Sequence, residues 1–137
     1  MDREVIDEKL ESLRRCVERI RQKTPSSAQG LMDDADAQDI VTLNLTRAVQ
    51  LCVDIGAHLI ATQDLPAPGT MGQTFDALAE MNVLPVELAA RLKKAVGFRN
   101  IAVHNYEAID WTIAHAIATR HIEDFTAFAT RVAAWLP

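Results

Sequence analysis

Residues 37–61, AQDIVTLNLTRAVQLCVDIGAHLIA, decide the fold class. Apolar side chains recur there at Val41, Leu45, Ala48, Cys52, Ile55 and Leu59, in alternating steps of four and three. That rhythm follows the helical turn and lays one apolar stripe along a long helix. Ile40, Leu43 and Leu51 broaden the stripe, so this helix is expected to be the most buried. Upstream, Ile6, Leu10, Leu13, Val17 and Ile20 keep the same rhythm over about 2–23, with arginines and glutamates on the other faces. Thr24-Pro25-Ser26-Ser27 ends that helix, because proline disfavours helical geometry in the residue before it. Residues 24–35 read as a polar connector.

Downstream, Asp64-Leu65-Pro66-Ala67-Pro68-Gly69 is a break. Thr70 followed by Gln73 fits a capping box and opens a short helix to about Met81. Leu84-Pro85 restarts the chain, with Pro85 suited to a first helical position. Asp110 is a good N-cap for a last helix running to about Trp135, with Ala114, Ala118, Ile122, Phe125, Ala129, Val132 and Leu136 inward. No segment alternates in the manner of a strand. The expectation is an all-α protein, an antiparallel bundle of about five helices in a single domain over 1–137.

Apolar residues make up 49% of the 137 and charged residues 24%, a soluble globular balance that excludes disordered and fibrous classes. No apolar run reaches the ~18 residues of a membrane span. The charged start, Met1-Asp2-Arg3-Glu4, predicts no secretory signal, and hence a cytoplasmic protein. Cys16 and Cys52 are then expected as reduced, partly buried thiols. Histidines 58, 104, 115 and 121 form no pair three or four apart, so neither metal nor cofactor is expected.

The net charge of −5 argues against coating nucleic acid through bulk electrostatics. Its distribution is uneven. Arg91, Lys93, Lys94 and Arg99 have no acid among them up to His104, whereas Asp33, Asp34, Asp36 and Asp39 crowd an earlier segment. The basic run suits a confined anionic site, and equally a solvated helix face.

From Pro85 the stripe runs Leu88, Leu92, Val96, then Arg99, Val103 and Tyr106. If the helix continues, Arg99 and Tyr106 occupy positions where aliphatic residues are expected. An inward guanidinium needs an anion or hydrogen-bonding partner, since an unpaired buried charge is costly. Asn100 and His104, four apart, share an adjacent face. Gly97 is placed to loosen the helix just before them. Spacing alone leaves two readings open. One is a structural network, with Arg99 paired to an acid, His104 in the core and Tyr106 filling space. The other is a site, either catalytic or one that binds a nucleotide or partner without cleaving.

Leu84-Pro85, Arg91-Leu92 and Gly97-Phe98-Arg99-Asn100-Ile101-Ala102-Val103-His104-Asn105-Tyr106 closely resemble the HepT toxin branch of the HEPN superfamily. Its pattern is an arginine, a polar residue, a short spacer, a histidine, and a tyrosine two residues later. Arg99, Asn100, His104 and Tyr106 fill every place, and the specific match lies within 84–110. The resemblance implies a metal-independent endoribonuclease, the toxin of a toxin–antitoxin pair, acting as a homodimer whose two motifs face each other. Arg99 and His104 would be catalytic and Asn100 supporting, with Arg91, Lys93 and Lys94 contacting RNA phosphates. The implied partner is a minimal nucleotidyltransferase that neutralises the toxin by transferring AMP to Tyr106.

Overall fold

The computed structural model describes residues 2–137; Met1 lies outside them. Among the described residues are α1 (Arg3–Lys23), α2 (Ala28–Met32), α3 (Ala35–Ile60), α4 (Met71–Glu80), α5 (Val86–His104), α6 (Trp111–Thr119) and α7 (Glu123–Trp135), with one 3₁₀ turn, Tyr106–Ala108, and no strand. The all-helical expectation holds, with more helices than the stripes alone suggested.

Helix α3 is the centre. Val41, Leu45, Ala48, Cys52, Ile55 and Leu59 are all wholly buried, and α1 packs along them. By length and composition α3 could cross a membrane, but its apolar stripe is the core itself. Leu43 departs from expectation and is half exposed. It lies two residues from both Val41 and Leu45, which puts it on the opposite side of a 3.6-residue helix. Where α3 meets α4, side chains of α4 pack directly on Gly56: a Cβ there would sit 2.6 Å from Thr74 Cγ2 and 2.9 Å from Leu78 Cδ1.

The connector 24–35 is not wholly irregular. Ser27 accepts the Gly30 N–H at 3.0 Å and starts α2, whose Leu31 is fully buried. Asp34 then caps α3 by accepting the Ala37 N–H at 3.0 Å, and Asp36 joins it at the positive end of the helix dipole. Part of the acidic crowding thus serves the helix start. Thr70 caps α4 as expected, while the Gln73 side chain reaches the N–H of Gly69, one residue before the usual capping-box partner. Pro85 is the N-cap of α5 rather than its first residue, a one-residue difference.

The expected last helix is two. Asp110 caps α6 by accepting N–H groups of Thr112 and Ile113. At its end the N–H groups of Arg120 and His121 both turn to the Ala116 carbonyl, at 2.9 and 3.1 Å. The Thr119 hydroxyl donates to His115 O at 2.6 Å, a local bond of the kind that bends helices. Glu123 and Asp124 then open α7, where acids favour a helix N-terminus. The inner face survives the break: Ala114, Ala118, Ile122, Phe125 and Val132 are buried. Phe128 joins them and meets Phe75 edge-on, with ring centroids 6.3 Å apart.

Candidate active site

Helix α5 runs unbroken through Gly97 to His104. Leu88, Leu92 and Val96 are buried as the stripe requires, but the buried face then rolls round to Phe98 and Ala102. Val103 and Tyr106, expected inward, are exposed by 51% and 38%. Arg99 lies at the edge of the rolled face, half-buried.

Two amides hold its guanidinium. Nη2 donates to Gln50 Oε1 on α3 at 3.2 Å, and Nη1 donates to Asn100 Oδ1 at 3.3 Å. Gln50 is itself fixed, its Nε2 donating to Asp54 Oδ1 at 2.9 Å. Among the described residues Arg99 meets these amides and no carboxylate, so the acid pairing of the structural-network reading is absent. His104 is not a core histidine either: it is exposed on the last turn of α5, on the same side as exposed Asn100.

The helix does not continue to Tyr106, which corrects the inference that Tyr106 sits seven helical residues beyond Arg99. Asn105, with φ −151° and ψ 66°, leaves the helix while its N–H still bonds Ile101 O at 2.8 Å. The 3₁₀ turn that follows points Tyr106 at the start of α3. Its hydroxyl donates to Asp39 Oδ1 at 2.7 Å, and its ring meets Trp111 at 5.9 Å and 67°. Burial, then the hydrogen bond to Asp39 and its charge, push the phenol's pKa above the ordinary 10.0. The Thr42 hydroxyl, buried and without a hydrogen bond of good geometry, pulls the other way.

The cations at 91, 93 and 94 are not gathered beside Arg99. Arg91 Nε donates to both oxygens of Asp124 on α7 at 3.0 and 3.1 Å, and Lys93 bonds Asp76 on α4 at 2.8 Å. Lys94 lines a largely apolar groove of about 520 Å³ between α5 and the pair α6–α7. A different set shares a cleft with Gln50, the partner of Arg99. Arg15 and Arg19 of α1 and Arg47 of α3 line an open cleft of about 640 Å³ whose wall includes Gln50. Among the described residues Asp54 is the only acid lining that cleft. Sequence reasoning missed these arginines because α1 and α3 contribute them jointly, and no spacing within one helix shows the pairing.

The remaining histidines are structural or peripheral: His115 Nε2 lies 2.8 Å from Pro25 O, and His121 Nδ1 lies 3.8 Å from Asp124. Among the described residues no three His, Cys, Asp or Glu converge as a metal site. Cys16 and Cys52 are free and buried, and burial pushes both thiols up.

An all-helical bundle with an arginine and a histidine near the end of one helix has the arrangement that the HEPN resemblance implies. The HepT-like family, described as ribonuclease HepT-like, matches residues 10–132. The chain is 37% identical over 125 residues to the mRNA nuclease HepT of Shewanella oneidensis, covering 91% of this chain and 93% of that one. It is 26% identical over 106 residues to the tRNA nuclease HepT of Aphanizomenon flos-aquae, covering 77% and 72%. Among solved structures, the tri-AMPylated Shewanella oneidensis HEPN toxin in complex with MNT antitoxin matches with a TM-score of 0.88 at 36% identity, over 95% of this chain and 97% of that one. The chain belongs to the ribonuclease HepT-like family.

Proposed function

We propose that this chain, as a single HEPN domain over 1–137, is a cytoplasmic, metal-independent endoribonuclease and the toxin of a toxin–antitoxin pair. The observation that carries this reading is Arg99: a half-buried guanidinium held by amides and left without a carboxylate, one and a half turns from an exposed histidine. Such a charge is oriented but not neutralised, as a phosphate clamp must be.

In this reading the ribose 2′-oxygen attacks the adjacent phosphorus and the bond to the 5′-oxygen breaks. An intramolecular nucleophile of this kind gains a large effective concentration. His104, as an imidazole, suits proton transfer near neutral pH. One His104 takes the 2′-hydroxyl proton, and the other, from a second copy of the chain, gives a proton to the departing 5′-oxygen. Arg99 binds the scissile phosphate and stabilises its added charge. Asn100 fixes Arg99 and faces the same side as His104. The products are a 2′,3′-cyclic phosphate and a 5′-hydroxyl. Flanking phosphates meet Arg15, Arg19 and Arg47 in the cleft, and Lys94 on the far side. Arg91 and Lys93 reach phosphate only by exchanging Asp124 and Asp76 for it. The homodimer would cover Leu43, Ile101 and Val103, large apolar side chains that are otherwise exposed around the motif.

The antitoxin in this reading is a minimal nucleotidyltransferase that transfers AMP to Tyr106. The tri-AMPylated state of the Shewanella relative, bound to its MNT antitoxin, supports that regulation. So does an exposed phenol two residues from His104. An added phosphodiester there places a bulky negative group two residues from His104 and obstructs RNA.

The test is cleavage of RNA by Arg99→Ala and His104→Ala in excess EDTA. Each variant is expected to lose roughly 10²–10⁴ in rate while keeping its helix content. Wild-type rates from both variants would remove the site. A strict divalent-ion requirement would remove the metal-free mechanism.

A further inference from the structure

The early acids of the chain do not share one task. Asp34 caps α3 and Asp36 sits in its first turn, but Asp39 makes its bond across the fold, to a residue 67 positions away. The 2.7 Å separation from Tyr106 Oη lies in the charge-assisted range for a hydroxyl donating to a carboxylate. Trp111 holds the ring from another side, edge-on at 5.9 Å, so the phenol oxygen has a fixed position and an engaged proton. The hydroxyl nonetheless belongs to a residue exposed by 38%, within reach of a second protein.

We propose that Asp39 orients Tyr106 for adenylyl transfer and accepts its proton, an inference that rests on Tyr106 being the AMP acceptor. The phenol oxygen attacks the α-phosphorus of ATP. The new oxygen–phosphorus bond forms as the bond to pyrophosphate breaks, and the phenol proton passes to the Asp39 carboxylate and then to water. The products are O-adenylyl-Tyr106, pyrophosphate and a proton. The acceptor chain thereby supplies part of the catalytic machinery for its own modification.

This assignment follows from what the phenol lacks alone. A neutral phenol is a weak nucleophile, and its acidity is pushed further down here by burial and by the carboxylate. Pre-ionisation is therefore unfavourable, and the proton must leave as the bond to phosphorus forms. A carboxylate already bonded to that proton is placed to take it.

The full chain, incubated with its cognate nucleotidyltransferase and ATP, is followed by intact mass and peptide mapping. In the wild type, AMP is expected on Tyr106, with none on Tyr106→Phe. Modification elsewhere, or equal modification of the Phe variant, would overturn the acceptor reading before Asp39 is varied. With that established, Asp39→Asn keeps the size and an acceptor oxygen but cannot take the proton. It is expected to lower the kcat of transfer by roughly 10²-fold, with the KM for ATP unchanged. Asp39→Glu should restore a measurable part of the rate. Because Tyr106 is the only tyrosine in the chain, its phenolate absorbance reads this one residue. In Asp39→Asn its titration should move to lower pH in the folded protein. Transfer at the wild-type rate in Asp39→Asn, or an unmoved tyrosine titration, would overturn the role of Asp39.

Discussion

The amides around Arg99 carry a testable electrostatic consequence. Gln50 Oε1 accepts from the guanidinium without neutralising it, whereas a glutamate there would form an ion pair at nearly the same geometry. Gln50→Glu is almost isosteric but exchanges the amide donor to Asp54 for a like charge, so helix content is checked first; it is expected to weaken RNA binding and slow cleavage more than Gln50→Ala does. Equal binding by the two variants, measured at fixed salt, would show that the free charge of Arg99 is not what RNA uses. At alkaline pH three other groups dominate. Cys16, Cys52 and Tyr106 all have folded pKa values raised, from ordinary values of 9.0, 9.0 and 10.0. For an acid raised on folding, the unfolded chain ionises first, so the stability contribution is full below the unfolded pKa and is lost as pH rises through the folded value. Unfolding free energy is therefore expected to be flat through neutral pH and to fall above about pH 9. Denaturant midpoints that rise between pH 9 and 10 would contradict that sign.

Two glycines in helices make opposite predictions at the scale of elements. A Cβ at Gly56 would overlap Thr74 and Leu78, so Gly56→Ala must push α4 away from α3 and should destabilise by about 1–3 kcal/mol. A Cβ at Gly97 would meet nothing within 4 Å inside a regular helix, so Gly97→Ala should stabilise by about 0.5–1 kcal/mol. Thermal unfolding of the two variants side by side reads both signs, and a melting temperature that does not fall in Gly56→Ala would refute the close approach there. The same contrast marks what a sequence can reveal. The stripe at Val41–Leu59 and the caps at Thr70 and Asp110 were legible because periodicity and N-caps are local. The Arg99–His104 pair is singled out in the sequence only by its resemblance to a family motif. The break at Arg120–Ile122 was not, since the inner face stays buried on both sides of it and the periodicity hides the interruption. Nor was the end of α5, which depends on Asn105 leaving the helix as Tyr106 meets Asp39 and Trp111. Those partners lie on other elements, and only the fold brings them together. Nor were the partners of Arg91 and Lys93, because Asp124 and Asp76 come from α7 and α4.

At the scale of the whole molecule, the proposed mechanism asks His104, one in each chain, to account for two proton transfers. Within a single chain the remaining histidines do not help: His115 is bound to the α1–α2 connector, His121 lies beside Asp124, and His58 ends α3. The proposed homodimer supplies the second imidazole by symmetry, since a two-fold axis through the cleft places identical groups on either side of one phosphate. That arrangement makes activity depend on pairs rather than on chains. When wild type and His104→Ala are mixed and allowed to exchange, a dimer containing one altered chain has only one imidazole and cannot complete both transfers. Activity should then follow the square of the wild-type fraction, falling to about a quarter in an equal mixture, rather than to about a half as independent sites would give. Subunit exchange can be verified with a mass-tagged variant, so an absence of mixing would be seen directly. A linear dependence in freely exchanging mixtures would mean that each chain cleaves alone, and the second proton would then have to come from solvent or from a group other than His104.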